Sequence, residues 1–414
     1  MQITGSHPRS FSIFYRIALF NLLLVAFIGS LLRFKMVASL PWVNHKYFLH
    51  GHSHFAFSGW ISLVLMAAIA ERIVQAGHYK VTGFLRNLLW VHLICAYGML
   101  LSFPVWGYAA IPITFSTASI LVSYVFALKV WPHCSSSNWG ATASLSIRAA
   151  LSFLVLSSFG AFGLAALMAS HAASQNLYFS ALYFFLHFQY NGWFFFGIAA
   201  LMISHMPDAQ NIALHKGVKW LALTCLPAVV LSGLWMKVPV WVYAIAAITA
   251  LAQLYGTVMA AKGIKSSWKI MFARLTVTER LLLKLSAFAF LTRILLQTLS
   301  TIPALSKFAF AYRPVVIGYL HLILLGCISL FLLAFLYGKG LWQTHKKIAG
   351  TGLILFVLGF LGTEGTLMLQ GLGYIGWVSI PYMNEVLFGS ALCMFSGILL
   401  LFASSRQPVA GGLY

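Results

Sequence analysis

About twelve times between residues 11 and 403 the sequence runs for about 20 residues with almost no charge, and no water-facing fold can hide so many such stretches. They fall near 11–33, 48–70, 84–104, 108–130, 149–170, 178–204, 218–235, 239–261, 281–300, 314–336, 348–370 and 384–403. Of the 414 residues 61% are hydrophobic and only 7% charged, with mean hydropathy +0.91. The expected fold is therefore all-α, a polytopic membrane bundle of about twelve transmembrane helices. No long polar segment, low-complexity tract or linker divides the chain, so a single domain over 1–414 is expected. The first apolar run is as long as a full span and lacks a small-residue cleavage site, which reads as a retained helix rather than a signal peptide.

The net charge of +21 does not point to nucleic acid, because the basic residues are sorted by side. About 19 of the 26 Lys and Arg fall on the N-terminal side of the bundle, which by the positive-inside rule is the cytoplasm. Both termini are then cytoplasmic, in a bacterial-type inner membrane. The stretch from Lys262 to Lys284 reads as a cytoplasmic loop facing anionic lipid headgroups. The five cysteines (Cys95, Cys134, Cys225, Cys327 and Cys393) form no CxxC or CxxCH, so they suggest neither a zinc ribbon nor covalent haem attachment.

In this topology the spans at 48–70, 178–204 and 314–336 all start at the outer face, and each carries a histidine a short way in. His54, His187 and His321 lie about 9 to 14 Å deep at roughly 1.5 Å per residue, so three imidazoles could share one layer. Each also begins an H-x4-G pattern, with Gly59, Gly192 and Gly326. Such a glycine would let a neighbouring helix or a flat cofactor come close. A lone membrane histidine can simply hydrogen-bond across an interface. Three unpaired imidazoles in hydrocarbon are costly, however, and a bound metal removes that cost.

His50 lies one turn from His54 on the same face and is a competing ligand, whereas His52 points the opposite way. The HxHxH run could bind copper or zinc by itself, but helical geometry spoils the chelate. His7, His78, His133, His205, His215 and His345 fall near cytoplasmic ends and His45 in an outer loop; His92 and His171 remain unassigned.

Twelve spans with histidines in the second, sixth and tenth resemble the catalytic subunit of haem-copper oxidases, and the nitric oxide reductase branch is the most similar. The segments that carry the resemblance are "GSLLRF" at 29–34 with "LHGHSHFAFSGW" at 49–60, "LHFQYNGW" at 186–193 and "YLHLILLG" at 319–326. It implies a low-spin, b-type haem between the second-helix and tenth-helix histidines, here His54 and His321, and a sixth-helix metal ligand, here His187. Arg33, Arg293 and Arg313, at the outer ends of their helices, would meet the haem propionates or snorkel to the membrane surface.

The same resemblance exposes departures. Leu234 and Trp235 stand in the seventh span where the family has adjacent copper histidines, Tyr319 takes the place of the high-spin haem histidine, and Asn191 replaces a glutamate. Copper is accordingly not expected. A bis-histidine haem leaves no open position on the iron and suits electron transfer or redox sensing. The alternatives are an active oxidase or nitric oxide reductase with atypical ligands such as His187, Tyr190, Tyr319 and Glu364, and a metal or haem transporter. The expected partners are membrane lipid and a quinol or cytochrome electron donor.

Carboxylates are few. Glu71, Asp208 and Glu279 read as surface pairs at cytoplasmic ends. Glu364 lies deep in the eleventh span and Glu385 at the outer start of the twelfth, an arrangement that suggests a proton relay.

Overall fold

The structure, a computed structural model, describes residues 11–170, 174–206, 211–376, 378 and 380–406; His7, His171, Asp208 and Tyr414 lie outside the described residues. The protein is an all-helical integral membrane protein. Among the described residues ten helices are long and apolar enough to cross a bilayer: α1 (Ser12–Phe34), α2 (His45–Gln75), α3 (Tyr79–Trp106), α4 (Ala110–His133), α5 (Ala141–Ala169), α8 (Val240–Arg274), α9 (Val277–Leu299), α10 (Arg313–Gly338), α11 (Lys346–Tyr374) and α12 (Met383–Ser404). Between α5 and α8 lie α6, a continuous helical run over 175–204, and α7, in which Ile212–Cys225 and Pro227–Gly233 meet at a bend of 53°. Gln189 and Asn191 dilute the hydropathy of α6, which is still long enough, at about 45 Å, to span.

Local chemistry sets the ends of these helices. Side chains of Asn44, Ser174 and Asn211 accept the first free backbone N–H groups of α2, α6 and α7. Thr276 and Glu279 form a reciprocal capping box on α9. Gly107, at φ 60°, closes α3 in a conformation that a Cβ disfavours. Pro227 has no N–H to continue α7, and the chain tightens into a 3-10 turn beyond it.

The helices group into two compact units, one built from the chain up to Phe126 and from Leu332 onward, the other from Ala127–Phe331. In the first, α2 is the central element: its apolar window is 89% buried, against 22% for α4. Val25, Ile28, Leu32, Phe55, Ala96 and Leu100 form one core of this unit. In the second, Ala228, Leu231, Leu234, Ala246 and Ala250 pack together behind the bend of α7. Leu101, Leu128, Val240 and Phe288 are exposed, as expected of side chains that face lipid.

Two expectations need correction here. The basic stretch that begins at Lys262 is not a loop, because α8 continues unbroken to Arg274 and α9 starts at Val277. A helix leaving the membrane needs no apolar face, so charge alone does not end it. The seventh span also ends early: Leu234 caps the 3-10 turn and Trp235 lies in the turn after it.

Candidate functional site

In the first unit α2 carries the three alternate histidines. His50 and His54 turn toward aromatic groups at and beyond the end of α3. The His54 ring stacks on Phe103 at 4.5 Å and 16°, and His50 meets Tyr108 edge-on at 4.5 Å. The His54 Nε2 lies 3.2 Å from the Tyr108 hydroxyl. The His50 Nε2 is buried and has no hydrogen-bond partner. His52 faces α1, as its spacing predicts: a Cβ on Gly29 would stand only 3.1 Å from His52 Cε1. Arg33, one turn further along α1, is its charged neighbour.

Just past His54 and Phe55 the helix widens into a π-turn, Ala56–Ser62. His187 and His321 have the same setting, at the head of π-turns Phe188–Phe194 and Leu322–Ser329. All three H-x4-G motifs therefore mark π-turns, features that are rare and concentrated at functional sites. Such a turn exchanges i→i+4 for i→i+5 bonding and strands carbonyl groups, which hydrocarbon cannot satisfy.

Side chains from adjacent helices meet that need. The Ser58 carbonyl accepts from His92 Nε2 at 3.0 Å, and the Gly59 carbonyl accepts from Asn21 Nδ2 at 2.7 Å. Tyr97 in turn donates to Asn21 Oδ1 at 2.6 Å. In the second unit the Asn191 carbonyl receives the Cys225 thiol at 3.7 Å, and the Cys327 carbonyl receives the Ser286 hydroxyl at 2.6 Å. His92, unassigned in the sequence, is thus a structural donor. Asn21 and Ser286 are the supporting residues that sequence reasoning missed; a polar side chain inside an apolar span was the available signal.

The glycines serve these turns in a way the sequence did not specify. A Cβ on Gly59 would collide with Phe55 of the same helix, and one on Gly192 with Phe153 of α5. At these two positions the space is filled by an aromatic side chain.

His187 is fully engaged by the protein. Its Nε2 donates to the Cys225 carbonyl at 2.9 Å, so Nδ1 is the acceptor, and the Asn191 amide donates to it at 3.0 Å. Metal ligation would require breaking one of these bonds. The seventh-span neighbour of His187 is therefore Cys225, while Leu234 and Trp235 lie elsewhere. Leu234 is core, and Trp235 packs on Phe179 and Tyr183 at 5.7 and 6.2 Å.

Arg293 departs from its expected place. It lies within α9, is only 4% exposed, and groups with His187, Tyr190 and Tyr319. Arg313 is exposed at the start of α10. His321 is half-buried in the second unit.

Among the acids, Glu71 is not a surface group. It is 8% exposed, accepts from the Tyr15 hydroxyl at 2.6 Å, and pairs with Lys339 at 2.7 Å. Glu279 is 3% exposed and committed to its capping box. Glu364 is half-buried with Oε1 lacking a partner, whereas Glu385 is exposed in the first turn of α12.

Among the described residues no three His, Cys, Asp or Glu side chains form a metal-holding group. In the first unit the buried His50 Nε2 stands beside Phe103 and Tyr108 with no hydrogen-bond partner, a donor atom that an imidazole-ligated cofactor would use.

No protein-family model matches the sequence, and no curated protein matches it. Among solved structures, a heme-copper terminal oxidase determined as a dimer by cryo-electron microscopy is similar over 97% of this chain and 84% of its own. The TM-score is 0.71 at 12% identity, which establishes a shared fold.

Proposed function

We propose that this protein is a haem-binding membrane protein on the terminal-oxidase fold, which carries electrons or senses redox state and does not reduce a gas. The observation that carries the reading is the placing of His54, His187 and His321 at the heads of three π-turns in a chain with that fold. The axial pair is His54, with His50 as its competitor, and His321. The assignment of His54 and His321 to one haem comes from the sequence resemblance, as does the kinship with nitric oxide reductases.

A haem iron held by two imidazoles exchanges single electrons and offers no open position to a gas. The protein's part is to hold the rings. Stacking on Phe103 fixes the plane of His54, and the π-turn that follows anchors its helix through Asn21 and His92. Arg33 and Arg313 would pair with propionates. His187 stays a structural donor, so no copper is held. Electrons come from a quinol or a separate cytochrome, and both termini face the cytoplasm across an inner membrane.

A reduced-minus-oxidised optical spectrum of the purified protein, with metal analysis, tests this. One low-spin haem and no copper is the expected result, lost in both His54→Ala and His321→Ala. A wild-type spectrum in both variants would sink the ligand assignment. A carbon monoxide complex at one equivalent per protein, or rapid turnover of oxygen or nitric oxide, would restore the enzyme reading. Absence of haem would favour a transporter.

A further inference from the structure

We propose that Arg293 holds a small monovalent inorganic anion, of the chloride class, in a pocket of the second unit lined by Asn191, Cys225, Gln253 and Phe290. The site is independent of the haem reading.

An arginine side chain 4% exposed in a membrane helix is costly unless something opposite in sign lies against it. Among the described residues of the second unit the only carboxylate is Glu279. It is spent on the Thr276 cap, about 21 Å away along the same helix at 1.5 Å per residue.

Every group around the guanidinium is neutral: Gln297 Oε1 at 3.5 Å from Nη2, the Tyr319 hydroxyl, and the rings of Phe195 and Phe290 at 5.9 and 5.5 Å. Arg293 Nε, buried, has no partner at all. Gln297 donates its amide to Gln253 Oε1, which leaves the Gln253 amide N–H groups for the pocket. A fixed cation and an amide donor thus converge on one space.

The pocket is half open and has room for about one water-sized body, the scale of a single halide. A halide answers the buried charge more completely than water alone, because only the anion neutralises it.

The test is thermal unfolding of the full-length protein in detergent, titrated with sodium chloride against sodium gluconate at matched ionic strength. The expected result is a saturable rise in Tm with chloride, reproduced by bromide. At a 100-fold excess over Kd the folding equilibrium constant should rise about 100-fold. Arg293→Gln should abolish the dependence, and Gln253→Leu should weaken it. Equal Tm in chloride and gluconate, or a chloride effect that survives Arg293→Gln, would overturn the proposal. If Arg293→Gln does not fold, crystals of the wild-type protein grown in bromide decide. An anomalous peak beside Arg293 supports the site, and an empty or water-filled pocket refutes it.

Discussion

Asn21→Leu should destabilise the protein by removing the support of the first π-turn. Asn21 is fully buried, donates to the Gly59 carbonyl at 2.7 Å and accepts from Tyr97 at 2.6 Å. Leucine has similar bulk, so little cavity is created and the loss is mainly two hydrogen bonds. In a soluble core, orphaning two polar groups would cost about 1–3 kcal/mol each. Membrane helices lose less, because the dissociated helix also finds partners; interhelical bonds there average about 0.6 kcal/mol and reach about 1.7. The membrane figure applies to α1, which puts the total at about 1–3 kcal/mol. Reversible unfolding in mixed micelles, followed by tryptophan fluorescence, measures it. A double-mutant cycle with Tyr97→Phe should show coupling of about 0.6 kcal/mol. Strict additivity would refute the argument, since Asn21 would then not link Tyr97 to the turn.

Lys339→Met should cost about 1–3 kcal/mol in the same assay, less than for a fully buried pair because the two side chains are 22% and 11% exposed; Glu71→Gln in that background should recover much of it, and no recovery would show that charge is not the cause. His187→Gln should lower stability yet leave the low-spin haem spectrum unchanged, because both ring nitrogens already serve the protein; a changed spectrum would make it a ligand. Burial pushes the Cys134 thiol up to about 12, so alkylation of the folded protein at pH 8 should be negligible, with a thiolate fraction of about 10⁻⁴. The raised value also means that this thiol contributes stability that is lost as pH climbs from its ordinary range toward 12; labelling at pH 8 at the rate of a free thiol would contradict its burial.

Span number and position were legible because apolar length is a strong local signal. Where neighbours decide, the reading failed. Pro227 sits inside an apolar run long enough for a straight membrane helix, yet α7 bends there by 53°. The lysines after residue 261 have the charge of a loop, yet α8 carries them as helix to Arg274. The opposite facing of His52 followed from helical spacing alone. The π-turns did not, because their stability depends on donors such as Asn21, His92 and Ser286, which lie far away in sequence. Arg293 shows the same limit: its position near a helix end suggested snorkelling, and only packing reveals that it is buried.

Each π-turn also works as a phase shift. An α-helix advances 100° per residue, so the extra residue that a π-turn accommodates rotates everything after it relative to everything before it. In α2 this lets His50 and His54 aim at Phe103 and Tyr108 while the half from Leu63 to Val74 stays almost wholly buried. Deleting one residue between Ala56 and Ser62 would restore a regular helix and keep its composition. It would also swing the histidines by about a quarter turn or the buried face out of the core. The three widened turns are therefore gearing: they let one stiff rod obey two alignments that no uninterrupted helix could satisfy together.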